Sequence, residues 1–187
     1  MRFLVLSLCA LATLLQGCRA DPPAVSDGSG IPPVQGPYPS LAICTPPTPC
    51  PGSACATRAI GKADGQTVDM AVCELLQLTF TTGTIVPKVG QADLAFDVAS
   101  VAGVTRIEAS KPGEPYQTIG FLCGQFCSRP AECLAQQSQG RLLLDVTRCN
   151  YTLSDFNVLR LVREPGSSGG VVLDAVEALQ YKEINQP

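Results

Sequence analysis

The chain has 187 residues, room for one domain of ordinary size with appendages, and 45% of them are hydrophobic, enough for a sizeable core. Only 16% are charged and the net charge is −3, so nothing resembles the clustered basic face that nucleic-acid binding needs. Histidine and tryptophan are absent, which removes the commonest general base and metal ligand and the best flat surface for stacking a sugar ring.

The chain opens with Met1-Arg2 and a continuous run of mostly apolar residues from Phe3 to Leu15. One positive charge followed by a short apolar stretch is the layout of a secretory signal, and the run is too short to span a bilayer as a helix. It ends at Leu15-Gln16-Gly17-Cys18, which resembles the lipobox of bacterial lipoproteins, with Gln16 where a small residue is usual. The resemblance implies that residues 1–17 are a signal peptide and that Cys18 carries diacylglyceryl and palmitate chains. At about 0.8 kcal/mol per buried methylene, such chains hold a protein on a membrane. It also implies a bacterial envelope location, and Arg19, a residue other than Asp after the anchor, points to the outer membrane. The competing reading is an ordinary signal peptide cut nearby, with Cys18 entering a disulfide.

Residues 18–54 are expected to form a lipidated cysteine and a spacer. Pro, Gly and Ser dominate there, and no apolar period persists beyond a few residues. Fully extended, such a segment reaches roughly 100 Å. A partly ordered arm near Cys44 and Cys50 is the alternative.

Apart from Cys9 and Cys18, the cysteines are Cys44, Cys50, Cys55, Cys73, Cys123, Cys127, Cys133 and Cys149. An even number in an exported chain argues for disulfides, paired by proximity within the first four and within the last four. Zinc is the rival, but no C-x-x-C pair is present and an oxidising compartment favours bridges.

From residue 55 onward short apolar or alternating runs recur at 75–80, 93–98, 104–110, 116–121, 142–146, 158–163 and 171–179. Gly83, Gly90, Gly103, Pro112-Gly113 and Pro165-Gly166 punctuate them. One or two helical turns are expected within 131–137. Seven or eight short strands without intervening helices predict an all-β sandwich over residues 55–187.

Several segments then resemble, in order, a bacterial galactose-binding-like domain. Arg58-Ala59-Ile60-Gly61-Lys62-Ala63-Asp64-Gly65 is similar to its opening A-L-G-x-x-D-G segment. Ile107-Glu108-Ala109-Ser110 with Tyr116-Gln117-Thr118-Ile119-Gly120 is similar to a central hairpin. Leu159-Arg160-Leu161-Val162-Arg163 and Leu173-Asp174-Ala175-Val176-Glu177-Ala178 resemble its last strands. The resemblance implies a jelly-roll β-sandwich of about eight antiparallel strands, of the kind found in discoidin domains. The stretch from Cys123 to Cys149 departs from the pattern as an insertion. The resemblance also implies a structural Ca²⁺ held by Asp64 and Glu177 with Thr67 or Gln66 adding oxygens, since calcium takes six to eight hard oxygens. The same residues equally suit a plain Asp-Gly turn and a solvated glutamate. Asp174 is a third candidate, although its odd offset from Glu177 would put the two on opposite faces of a regular strand.

No catalytic residue is expected. Gly166-Ser167-Ser168-Gly169-Gly170 satisfies G-x-S-x-G, but a nucleophile elbow needs a following helix and a base, and a β-run follows instead. A carboxylate enzyme would need Asp93, Asp97 and Glu108 in one pocket. Asn150-Tyr151-Thr152 is a chance glycosylation sequon. Arg141, Arg148, Arg160 and Arg163 could meet an anionic glycan or simply solvate a sheet face. The chain is therefore expected to be an envelope lipoprotein displaying a binding module for a glycan or protein, with an architectural scaffold as the alternative and no nucleic-acid partner.

Overall fold

Alternation along the chain translates directly into a two-layered sandwich. The strands are β1 (Leu41–Thr45), β2 (Val68–Asp69), β3 (Leu75–Thr79), β4 (Gly83–Ile85), β5 (Leu94–Val101) and β6 (Val104–Ser110). They continue with β7 (Gln117–Cys123), β8 (Gln136–Ser138), β9 (Arg141–Leu144), β10 (Val158–Arg163), β11 (Val171–Ala178) and β12 (Tyr181–Glu183). The computed structural model describes residues 36–45, 54–124, 127–149, 151–152, 154–167 and 169–184, without the side chains of 54 and 55. Cys18, Cys50, the Cys55 side chain, Asn150 and Ser168 therefore lie outside the described residues.

One sheet has the order β1-β3-β10-β6-β7 and the other β2-β11-β5-β9-β8, with a small β12-β4 ladder beside them. The named ladders are all antiparallel. With β1 and β8 set aside as added edges, β3-β10-β6-β7 faces β2-β11-β5-β9, which is the order of a jelly roll with two interleaved Greek keys. The eight strands of that core match the number expected, and four further short strands surround them. Two of the expected ranges, 104–110 and 158–163, coincide with β6 and β10.

The core sits between the sheets. In β3, Leu76 and Leu78 are fully buried while Leu75, Gln77 and Thr79 are only half-buried, the pattern that a period of two requires. Phe80, Phe96, Phe156 and Met70 fill the largest spaces among Leu94, Ile107, Ile119 and Leu144. Each such side chain removed from water contributes about 1.5–3 kcal/mol.

Part of the stretch expected as a spacer belongs to the sandwich. The Pro37 carbonyl accepts the Ala178 amide at the edge of β11 (2.7 Å), and β1 then pairs residue by residue with β3 in the opposite sheet. Residues 37–45 thus strap one side of the sandwich. Its alternation of Ala42 and Cys44 inward with Leu41 and Ile43 outward overrides the prolines around it. The other side is closed by 134–138, where the Ala135 amide bonds to the Phe121 carbonyl (3.0 Å) before β8 pairs with β9. Of the one or two helical turns expected within 131–137, a single 3-10 turn forms, Ala131–Cys133, followed by β8.

Among the described residues, three bridges brace these irregular parts. Cys44–Cys73 bolts the strap to the turn before β3, Cys123–Cys127 closes a tight loop after β7, and Cys133–Cys149 joins two 3-10 turns. All three pair within the sequence halves expected, and they commit six of the thiols that zinc would need.

Candidate functional site

The calcium candidates are placed by a bulge. The register of β11 against β5 shifts between Leu173 and Ala175, so Val171, Leu173, Val176 and Ala178 face the core. Asp174 and Glu177 consequently both face outward, despite the odd spacing that a regular strand would resolve onto opposite faces. The Asp174 carboxylate accepts the backbone amides of Asp64 and Gly65, each at 3.1 Å. Asp64 in turn accepts the amide of Gln66 at 2.9 Å and its side-chain nitrogen at 3.1 Å. Glu177 instead pairs with Arg141 at 2.8 Å. Asp64 therefore meets Asp174 rather than Glu177, and the loop turns N–H groups toward the carboxylate where a calcium ion would need carbonyl oxygens. Thr67 is half-buried beside this loop. Among the described residues no three His, Cys, Asp or Glu side chains gather to hold a metal. The residues present do not fit the ion.

Arg141 organises the outer face of the second sheet. Its guanidinium bridges Asp97 on β5 and Glu177 on β11, both at 2.8 Å, while its buried Nε has no hydrogen-bond partner. Burial, and then the nearby Glu177 carboxylate, push the Tyr38 hydroxyl above its ordinary value. Glu108 lies on the first sheet, paired with Arg106 at 2.9 Å. Asp93 is buried and bonded to backbone. The three carboxylates that an enzyme would need in one pocket are thus spread over both sheets and the interior.

Other candidates have structural roles. Ser167 accepts the Val104 amide at 2.8 Å and donates to the Gly169 carbonyl at 3.1 Å, pinning the turn between β5 and β6. Gly103 is required in that turn, because a Cβ there would collide with the Ser167 hydroxyl and the Gly169 carbonyl. Arg160 stacks on the Tyr116 ring at 3.6 Å, and Arg163 pairs with Glu74 at 2.9 Å. Tyr151 packs edge-on against Phe156 with centroids 5.6 Å apart. Burial, chiefly, together with the carboxylates of Asp155, Asp93 and Glu114, pushes its hydroxyl well up.

The remaining arginine, Arg148, lines an open polar cleft of about 380 Å³. Its walls come from three segments: the loop 90–92, and, some forty residues on, the stretch from Glu132 to Ser138 and the turn from Asp145 to Arg148. Leu134, Leu143 and Ala92 supply an apolar floor, and Gln136, Gln137 and Ser138 project from the exposed edge strand β8. Among the described residues, the side chains of Glu132, Gln136, Gln137, Ser138 and Arg148 have no hydrogen-bond or ion-pair partner.

The walls are fixed from behind. Asp93 accepts the Lys88 amide (2.8 Å) at one wall and the Val146 amide (3.0 Å) at the other, and burial, foremost, raises its carboxyl above the ordinary range. The Cys133–Cys149 bridge joins the other two segments. Sequence reasoning named Arg148 but missed Glu132 and the glutamines. Their only signal was proximity to the two cysteines.

A second hollow of about 430 Å³ opens near Cys123 and Gly124, lined by Val98, Val101, Leu142 and Arg141. Comparison with known protein families, with curated proteins and with solved structures gives no match.

Proposed function

We propose that this chain is an exported lipoprotein, held to the bacterial envelope through an acylated Cys18, whose jelly-roll domain is a non-catalytic binding module. The ligand class that suits its cleft is a glycan. The observation that carries this reading is the cleft of about 380 Å³ in which amide, hydroxyl and charged side chains stand uncommitted on a braced frame. That volume falls in the range of small-ligand sites, and polar groups without protein partners are free to bond hydroxyls. The jelly-roll order of the sheets supports the resemblance to galactose-binding-like domains, though a fold alone does not assign a ligand.

Titrating the mature chain against a glycan array tests the reading. Saturable binding that weakens in Arg148→Ala is the expected result, and no saturable binding to any glycan would overturn it. Labelling cells with a palmitate analogue tests the anchor: the chain should take up label, and Cys18→Ser should lose it.

One observation favours an architectural role instead. Leu41 and Ile43 are 46% and 47% exposed on the edge strand β1, a surface on which another envelope protein could add a strand. A scaffold would keep its assembly in Arg148→Ala and lose it in Ile43→Lys.

A further inference from the structure

Two opposite charges, Glu132 and Arg148, line the same cleft without forming an ion pair among the described residues. Glu132 precedes Cys133 and Arg148 precedes Cys149, and the Cα atoms of the bonded cysteines are 4.7 Å apart. Both charged neighbours line the cleft. Among the described residues, neither forms an ion pair with the other or with any other group. Elsewhere on the domain Arg106, Arg129, Arg141, Arg163 and Lys111 each lie within 2.9 Å of a carboxylate, whereas Arg58, Lys62, Lys88, Arg160 and Lys182 form no ion pair among the described residues. Asp145, the cleft's other carboxylate, is occupied by the amide and hydroxyl of Thr147.

The bridge brings together the two backbones that carry these charges. Each charge is tethered next to one end of a covalent bond whose ends sit on separate 3-10 turns, and Asp93 fixes the second turn by its hold on Val146. The backbone that carries them is braced, both residues are exposed, and a positive and a negative group lining one cleft are complementary to a ligand with both charges. Its carboxylate would take the Arg148 guanidinium and its ammonium the Glu132 carboxylate, in charge-assisted hydrogen bonds stronger than neutral ones. A purely anionic ligand meets Glu132 and Asp145, and a purely cationic one meets Arg148. Each mismatch discriminates against single-charge ligands.

From this arrangement we infer that the cleft selects a zwitterionic saccharide, a sugar bearing both a free amino group and a carboxylate. Gln136, Gln137 and Ser138 on the neighbouring edge strand take its hydroxyls. This inference rests on the cleft being the binding site and names the ligand class it accepts.

Calorimetric titration of the full mature chain with four monosaccharides tests it. Muramic acid carries a free amine and a carboxylate, N-acetylmuramic acid only the carboxylate, glucosamine only the amine, and glucose neither. Muramic acid should bind about tenfold tighter than either single-charge sugar, the scale of one charge-assisted hydrogen bond. Glu132→Gln should bring its affinity down to that of N-acetylmuramic acid, and Arg148→Gln to that of glucosamine. Both residues sit in partnerless positions, and an unchanged melting temperature will show that the variants fold. Equal affinity for the four sugars overturns the inference while leaving the cleft as a glycan site. Failure of all four to bind, when an array glycan does bind, overturns it in the same way. Binding that is indifferent to both variants, or absent for every glycan, overturns the cleft reading as well.

Discussion

The buried carboxylate of Asp93 accepts the backbone amide of Val146 at 3.0 Å, joining two segments 53 residues apart. Its other oxygen takes the Lys88 amide at 2.8 Å, so one side chain holds two walls of the cleft. Asp93→Ala strands both amides, each costing about 1–3 kcal/mol when left unsatisfied. Chemical denaturation should show a loss of about 2–5 kcal/mol, together with loss of ligand binding.

The same residue sets a pH dependence. Its carboxyl is raised in the folded state, above all by burial, so the folded protein binds this proton more tightly than the unfolded chain does. The stability it contributes is therefore fully present below the ordinary carboxylate range and is lost as pH rises through the raised value. Relative to Asp93→Asn, which does not titrate, the native chain should lose stability as pH climbs from about 4. Denaturation midpoints of the two proteins across the acid range check this, and parallel curves would refute it.

Arg141→Met would remove the only cation between Asp97 and Glu177 among the described residues. All three side chains are 22–30% exposed, so water screens part of the resulting repulsion. A loss of about 1–2 kcal/mol is expected, smaller at high salt. Denaturation at two salt concentrations measures it.

The bridges should rank by the loops they close. The sequence separations are 29 for Cys44–Cys73, 16 for Cys133–Cys149 and 4 for Cys123–Cys127. Chain entropy then gives contributions of about 3.6, 3 and 2 kcal/mol. Paired serine substitutions should lower the melting temperature in that order. Only the Cys133–Cys149 pair should also weaken cleft binding, because it spaces Glu132 from Arg148.

Adding EGTA or excess Ca²⁺ should leave the melting temperature unchanged. Asp174→Ala, by contrast, should lower stability by about 0.5–1.5 kcal/mol per lost hydrogen bond, since it frees the Asp64 and Gly65 amides. A calcium-dependent midpoint would restore Asp64 and Glu177 as ligands.

What the residues state locally was readable in order along the chain. The alternation of Leu76, Leu78 and Phe80, and the β-rich runs that became β6 and β10, mark strands because a pleated backbone turns every second side chain toward the core. The turn glycines and prolines separate them, and an even set of cysteines without a C-x-x-C pair pointed to bridges. Composition misjudged β1, where prolines before and after a short alternating run suggested a spacer and only pairing with β3 makes it a strand. The bulge in β11 was equally illegible, since a period argument presumes regular pairing. The cleft depends on contacts that join separate segments: a carboxylate reaching 53 residues to Val146, and a bridge bringing the segments of Glu132 and Arg148 to one cleft. Strand identity is thus a property of local periodicity, whereas the site arises from long-range hydrogen bonds and a covalent link, whose partners no local pattern can name.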